Sequence, residues 1–187
     1  MTLLIEPGQD RKVAAIRCSK VYGGFFSLED IILTKEDIQN IADELYLDSI
    51  KASAEGELPI SACLFYNDNG FTKKKIRHNN TKSKISLAHA EASVIAETLA
   101  ELNRPYLDDA SLFVTLEPCP MCMGAILKTK IKRLYYFADD VKEGSLSYYH
   151  FPIDGKIEVI KIQDDRFENL LKDYFKNLRE KKKEENV

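Results

Sequence analysis

The chain has 187 residues, of which 44% are hydrophobic, so it is long enough to form one domain with a substantial core. Its 27 basic and 30 acidic residues give a net charge of −3, which argues against nucleic-acid binding driven by charge alone. The N-terminus lacks a basic start with a long apolar stretch, and no run of about eighteen apolar residues occurs, so neither an export signal nor a membrane span is predicted.

The sequence predicts three segments. Residues 1–33 are expected to form an N-terminal extension of unknown role, with two short strands over 12–18 and 21–26. Residues 34–180 are expected to form the main domain. Residues 181–187 are predicted to be a charged, flexible tail.

Within the main domain, hydrophobic periodicity predicts helices that alternate with strands. Thr34 with an acid at Asp37 is typical of a helix N-terminus. In chain order the predicted elements are a helix over 34–54, strands over 58–66 and 71–78 joined by a turn at 67–70, a helix over 88–102, a strand over 110–116, a helix over 121–130, strands over 131–138 and 156–162, and a helix over 164–184. This alternation predicts a layered α/β fold whose sheet is covered on both faces.

Two short motifs, thirty positions apart, contain the residues of most chemical interest. They are His89-Ala90-Glu91 and Pro118-Cys119-Pro120-Met121-Cys122. Imidazole nitrogen and thiolate sulfur are ligands that zinc takes in tetrahedral geometry, and a site with three protein ligands keeps a water in the fourth position. Zinc brings the pKa of that water near neutrality, and Glu91 is placed to take its proton. Together, the motifs predict a catalytic zinc site, and HxE followed by PCxxC resembles the signature of the zinc-dependent hydrolytic deaminases.

Each motif alone has a plainer interpretation. A lone CxxC is often a redox pair or half of a structural zinc site, and HxE is common by chance. Here the two motifs supply only three obvious ligands, because Cys18 and Cys63 lie far upstream and Cys63 sits in an apolar run. With two of four cysteines assigned to metal, no disulfide framework is left, so the cytoplasm is the expected compartment.

The stretch TLEPCPMCMGAILKTKIKRLYY, residues 115–136, resembles the cytidine deaminase superfamily, and within it the bacterial tRNA adenosine deaminases and guanine deaminases. Gly56-Glu57-Leu58-Pro59 and the closing helix around residues 170–175 are also similar to the tRNA enzymes. The resemblance covers about residues 37–179. It implies a three-layer α/β/α fold with a five-stranded mixed sheet whose last two strands are parallel, and a homodimer as the assembly.

The resemblance also implies roles for individual residues. His89, Cys119 and Cys122 would bind Zn2+, and Glu91 would move protons. The residues that would contact the substrate base are Ala88, Pro118 and either Asn79 or Asn80. A plain turn is the alternative interpretation of the two asparagines.

Two features depart from the tRNA enzymes. Residues 85–87 replace a common Asp-Pro-Thr, and the loop over 139–155 is shorter and carries an aromatic cluster, Tyr148 to Phe151. These aromatic residues fit either stacking on an extruded base or packing against a partner subunit. The basic residues between Asp68 and Glu91 fit either a phosphate-bearing ligand or a strand edge protected by lysines.

The predicted function is zinc-dependent hydrolytic deamination of a nucleobase-containing substrate, with adenosine-to-inosine conversion in tRNA as the first hypothesis. Deamination of a free guanine- or cytosine-type base, nucleoside or nucleotide is the alternative in the same class. A non-catalytic zinc-containing subunit that binds RNA is the alternative from another class, and the presence of Glu91 argues against it.

Overall fold

The computed structural model describes residues 3–5, 33–153 and 155–184. The elements in chain order are β1 (Leu3–Ile5), α1 (Lys35–Ala54), β2 (Ser61–Asp68), β3 (Phe71–His78), α2 (Ala90–Leu102), β4 (Ser111–Leu116), α3 (Pro120–Lys128), β5 (Arg133–Ala138), β6 (Glu158–Ile162) and α4 (Asp165–Glu184). A short 3-10 helix, Thr81–Ser83, lies between β3 and α2. The strands predicted over 12–18 and 21–26 fall outside the described residues.

The strands form one mixed sheet in the order β1-β6-β5-β4-β2-β3. The β2–β3 hairpin and the β2–β4 pair are antiparallel, whereas β4, β5 and β6 run parallel to one another. The five strands predicted for the main domain are confirmed, as is the parallel pairing of the last two. A sixth strand, β1, adds to the edge of β6 in parallel register.

Side chains on alternate faces of the sheet build two apolar layers. Leu112 and Val114 of β4 pack with α2 and α3 on one face, while Phe113 packs with α1 and α4 on the other. The ring of Phe113 stacks on Tyr135 of β5, with centroids 4.2 Å apart. This arrangement confirms the predicted three-layer α/β/α fold, with the sheet between two pairs of helices.

The helix ends follow local sequence signals. Thr34 accepts a hydrogen bond from the Asp37 N–H at 3.1 Å, and the Asp37 carboxylate accepts one from the Thr34 N–H at 2.8 Å, so the predicted N-terminus of α1 is confirmed. At the other end of the chain, α4 continues through Glu184, which includes the first residues of the predicted tail. Among the helices of the described ranges, none has both the length and the apolar character needed to cross a membrane.

Candidate active site

The imidazole of His89 is positioned by the start of α2. His89 is the N-cap residue, with extended backbone (φ −78°, ψ 150°), and its side chain makes no capping hydrogen bond. Asn79 caps the helix instead: its Oδ1 accepts the Ala90 N–H at 2.7 Å. Because Asn79 satisfies this N–H, the His89 side chain is available for another role. His89 thus lies one residue before the first turn, whereas the helix predicted over 88–102 would have placed it inside that turn.

The two cysteines occupy the matching end of α3. Cys119 is the N-cap residue, Pro120 follows at the first helical position, where a proline is well tolerated, and Cys122 lies in the first turn. Cys122 is completely buried and Cys119 is half-buried. The N-termini of α2 and α3 therefore meet, and their unpaired N–H groups favour negative charge at this point.

His89, Cys119 and Cys122 converge on one point. The Nδ1 atom of His89 lies 3.7 Å from the Cys119 Sγ and 3.6 Å from the Cys122 Sγ. All three candidate ligand atoms lie within 4.8 Å of one another. Tetrahedral zinc at its usual bond lengths would hold a nitrogen and a sulfur ligand about 3.6 Å apart. The donor types and their spacing therefore fit a metal ion that takes three protein ligands.

The three side chains also shift one another's pKa values. A hydrogen bond from Cys122, with a further one from His89, lowers the pKa of the Cys119 thiol to about 4. The contact with Cys119, together with burial, raises the pKa of Cys122. Contact with Cys119 raises the pKa of His89, and the negative charges of Glu91 and Glu143 add to this effect. The group thus favours one thiolate even without a cation, which suits a site for a positive ion.

Glu91 is buried beside this group, in the first turn of α2. It is only 3% exposed, and its Oε2 atom has no hydrogen-bond partner among the described residues. Burial raises the pKa of this carboxyl group. A buried carboxylate oxygen without a hydrogen-bond partner is unfavourable unless a ligand or water donates to it or a proton neutralises it. Glu91 therefore has the environment of a group that exchanges a proton with a bound molecule.

The predicted substrate contacts lie on either side of the metal ligands. Ala88 and Pro118 directly precede His89 and Cys119; Ala88 is half-buried and Pro118 is buried. Asn79 is buried at the start of α2. Asn80 is exposed and caps the 3-10 helix, with its Oδ1 accepting the Ser83 N–H at 3.1 Å. Of the two asparagines, only Asn79 is buried beside the His89 and Glu91 helix.

A buried carboxylate that the sequence did not single out organises the loop after β5. Glu117 accepts hydrogen bonds from the N–H groups of Asp140 (3.2 Å), Leu146 (2.6 Å) and Ser147 (2.7 Å), and from the Ser147 hydroxyl (2.6 Å). The N–H and hydroxyl of Ser145 both donate to the Pro118 carbonyl, at 2.9 and 2.6 Å. The segment that bears Cys119 and the loop over 139–151 are therefore fixed to each other.

The basic stretch between Asp68 and Glu91 is largely paired with acids. Lys74 pairs with Glu44 of α1, Lys75 with Glu101 of α2, and Arg77 with Glu97 of α2, the last with an Nε to Oε1 distance of 3.0 Å. These basic residues lie on β3, which is the edge strand of the sheet. The structure therefore favours the interpretation of a charged strand edge over that of a phosphate site.

The sequence profile of one protein family, the MafB19-like deaminases, matches residues 36–179. The tRNA-specific adenosine deaminase of Bacillus subtilis is 34% identical over 153 residues, which cover 75% of this chain and 93% of that one. The Haemophilus influenzae tRNA-specific adenosine deaminase is 35% identical over 139 residues, covering 71% and 80%.

The fold is also similar to solved structures. One comes from a study of A-to-I editing by tRNA:A34 deaminases; its TM-score is 0.62 at 28% identity, covering 71% of this chain and 99% of that one. Guanine deaminase from Nitrosomonas europaea has a TM-score of 0.58 at 23% identity, covering 76% and 85%, which indicates a shared fold.

Proposed function

The chain belongs to the MafB19-like deaminase family, within the cytidine deaminase superfamily, and on that premise we propose that it converts adenosine to inosine in tRNA with a bound zinc ion. The reaction replaces the amino group on a ring carbon with an oxo group from water and releases ammonia. One observation supports this proposal most strongly: His89, Cys119 and Cys122 converge beside a buried carboxylate oxygen of Glu91 that has no partner in the described residues.

His89, Cys119 and Cys122 would hold the zinc ion. The ion supplies an acidified water as the nucleophile when it is bound. The positions of the ligands at two helix N-termini favour thiolates, and the partial positive charges there offset their burial. Because both helices pack against the central sheet, the fold holds the three ligand side chains close together without the ion.

Glu91 is the proposed proton-transfer residue. Its raised pKa lets the carboxylate accept a proton and then give it up to a ring nitrogen or to the leaving amine. Burial excludes competing water from this transfer. The backbone of Ala88 and Pro118, and the amide of Asn79, are proposed to position the base next to it, whereas the role of Asn80 is proposed to be limited to capping the 3-10 helix.

The relatives support tRNA as the substrate, because tRNA-specific adenosine deaminases match most of the chain. A deaminase of a free base, such as guanine, is the second candidate, since the fold is also that of a guanine deaminase. A non-catalytic RNA-binding subunit would not need the buried carboxyl group of Glu91, whose Oε2 oxygen has no partner within the described ranges.

The proposal has three further parts. Residues 34–180 would form the deaminase domain, 1–33 an extension and 181–187 a tail, which agrees with the family match over 36–179. The protein would act as a homodimer, with exposed Leu47 and Ile50 of α1 and Met121 of α3 as candidate contacts. It would act in the cytoplasm, where tRNA is available.

An ammonia-release screen of the zinc-loaded protein tests the proposal. The substrates are free purines and pyrimidines, their nucleosides and nucleotides, and an unmodified tRNA that carries adenosine at the first anticodon position. We expect ammonia and inosine from the tRNA alone. Release from a free base without inosine in tRNA would support the second candidate, and no release from any substrate would contradict both.

A further inference from the structure

We propose that Tyr148 and Tyr149 form a stacking site for an unpaired base that adjoins the target base in single-stranded RNA. The inference rests on the proposed function, because it assumes a polynucleotide substrate. It assigns a role to the aromatic cluster of the loop over 139–151, where the chain departs from the tRNA enzymes it resembles.

The structure separates the four aromatic residues of this loop into two kinds. Phe151 packs against the apolar core, and its N–H donates to the Ser145 carbonyl at 2.7 Å. The His150 ring bonds to the Leu146 carbonyl at 3.2 Å. Tyr148 and Tyr149, by contrast, are 55% and 53% exposed, although both have large apolar rings. The two tyrosine rings are therefore available to a ligand, whereas the ring of His150, which is also exposed, is engaged by its hydrogen bond to Leu146.

The backbone beneath the two rings is held rigidly. The N–H groups of Tyr148 and Tyr149 both donate to the Gly144 carbonyl, at 3.2 and 3.1 Å. Gly144 in turn lies against the Glu117 carboxylate, which also holds the N–H groups of residues on both sides of it. A fixed backbone lowers the entropy lost when a ring becomes ordered against a ligand.

The same contacts place the loop beside the candidate active site. Ser145 donates twice to the carbonyl of Pro118, the residue before Cys119. In a polynucleotide the nucleotides that flank the target base have to lie beside the site, so a ligand surface is needed there for RNA but not for a free base.

The shape and surroundings of the pair favour a base over a second protein chain. The rings meet edge to face, with centroids 4.9 Å apart and an interplanar angle of 86°, so ring faces are left uncovered for stacking. Of the exposed neighbours in this loop, Lys142, Glu143 and Ser147 are polar or charged and Val141 is the one apolar residue. A stable protein interface needs about 800 Å² of complementary surface on each partner, with an apolar centre. Lys142 of this loop is exposed, so its ammonium group is available to a phosphate group of the bound strand.

The experiment uses the full-length, zinc-loaded protein and two probes, an RNA anticodon-arm hairpin and the free nucleoside adenosine. Tyr148→Ala with Tyr149→Ala should weaken hairpin binding about 5- to 150-fold for each stacked base and leave the zinc content and the thermal midpoint close to those of the wild type. Tyr148→Phe with Tyr149→Phe keeps the rings and should bind like the wild type. Phe71→Ala is the matched control, because it also removes an exposed aromatic ring, which is 72% exposed. Phe71 begins β3 and lies about 20 Å along the strand from His78, at the other end of β3.

A fluorescence titration gives a readout that does not depend on activity. The chain contains no tryptophan, so Tyr149→Trp introduces a single indole whose emission should be quenched by the hairpin and not by adenosine. Unchanged hairpin affinity in the alanine variant, or no quenching, would overturn the proposal. A lower sedimentation mass of the alanine variant would overturn it in favour of a second chain. If neither substrate is deaminated while the hairpin still quenches the indole, the proposed function fails and the stacking site stands.

Discussion

The Oδ1 atom of Asn79 accepts the N–H of Ala90 at 2.7 Å, so the helix that bears Glu91 is capped by the residue that follows β3 and not by its own N-cap residue, His89. Because Asn79 provides the cap, the imidazole of His89 does not have to bond to the helix backbone. His89 can therefore be the N-cap residue and a candidate metal ligand at the same time. The asparagine therefore connects the stability of α2 with the geometry of the site.

Replacing Asn79 with alanine should lower the free energy of unfolding by about 1–3 kcal/mol, because a buried N–H loses its acceptor and the helix loses its cap. Urea unfolding measures the loss. Asn80→Ala is the control, since Asn80 caps only an exposed 3-10 turn. Equal losses in the two variants would show that the Asn79 cap has no special role.

The Glu117 carboxylate accepts hydrogen bonds from three backbone N–H groups, so Glu117→Ala should loosen the loop over 139–151. We expect hydrogen exchange at Asp140, Leu146 and Ser147 to speed up at least about tenfold, since one lost hydrogen bond to a charged group is worth about 1.5–3 kcal/mol. Glu143→Ala, an exposed acid of the same loop, should leave these rates unchanged. Slow exchange retained in the Glu117 variant would contradict the anchoring role.

Two glycines offer a matched pair of substitutions. A Cβ atom at Gly144 would lie 2.5 Å from the Glu117 Oε2 and closer still to the Asp140 carbonyl oxygen, whereas nothing lies within 4 Å of one at Gly124 in α3. Gly144→Ala should therefore lower the thermal midpoint, because backbone has to shift. Gly124→Ala should leave it unchanged or raise it, with a gain of up to about 1 kcal/mol from helix propensity. The reverse order would show that the loop accommodates a side chain.

Glu57 makes a pH-dependent contribution to stability. Burial opposes its ionisation, but hydrogen bonds from the Thr81 side chain and N–H and from the Lys82 N–H outweigh burial and lower the pKa below its ordinary value near 4.5. A carboxyl group with a lowered pKa in the folded state stabilises the protein above the unfolded pKa and loses that effect as the pH falls through the folded pKa. The difference in unfolding free energy between wild type and Glu57→Gln should be largest near pH 7 and should shrink below about pH 4.5. A difference that does not change between pH 7 and pH 3 would contradict this.

Local patterns predicted the parts of the molecule that depend on neighbours in sequence. The Thr34 and Asp37 cap and the alternation of strands and helices are of this kind. The meeting of His89 with Cys119 and Cys122, about thirty positions apart, was predicted instead from ligand chemistry and the family resemblance. The role of Glu117 was not predicted, because a glutamate at the end of a strand usually faces solvent and its donors lie 23 to 30 positions downstream. Such pairings depend on tertiary structure, which periodicity does not encode.

The same limit applies to the basic residues of β3. Their run in the sequence fits a phosphate site as well as a strand edge, and only the packing of α1 and α2 brings Glu44 and Glu97 to them. Exposed pairs of this kind contribute little to stability, so their main effect is to neutralise the charge of the edge.

The most direct test of the account is inosine formation by the zinc-loaded Glu91→Gln protein, measured with its zinc content on a tRNA substrate. Glutamine keeps the size of the side chain but cannot carry the proton. We predict one zinc ion per chain, as in the wild type, and a kcat lower by at least about 100-fold. His89→Ala, which removes a ligand, should instead lose the zinc ion. Wild-type turnover in the Glu91→Gln protein, or full turnover by protein without zinc, would contradict the account.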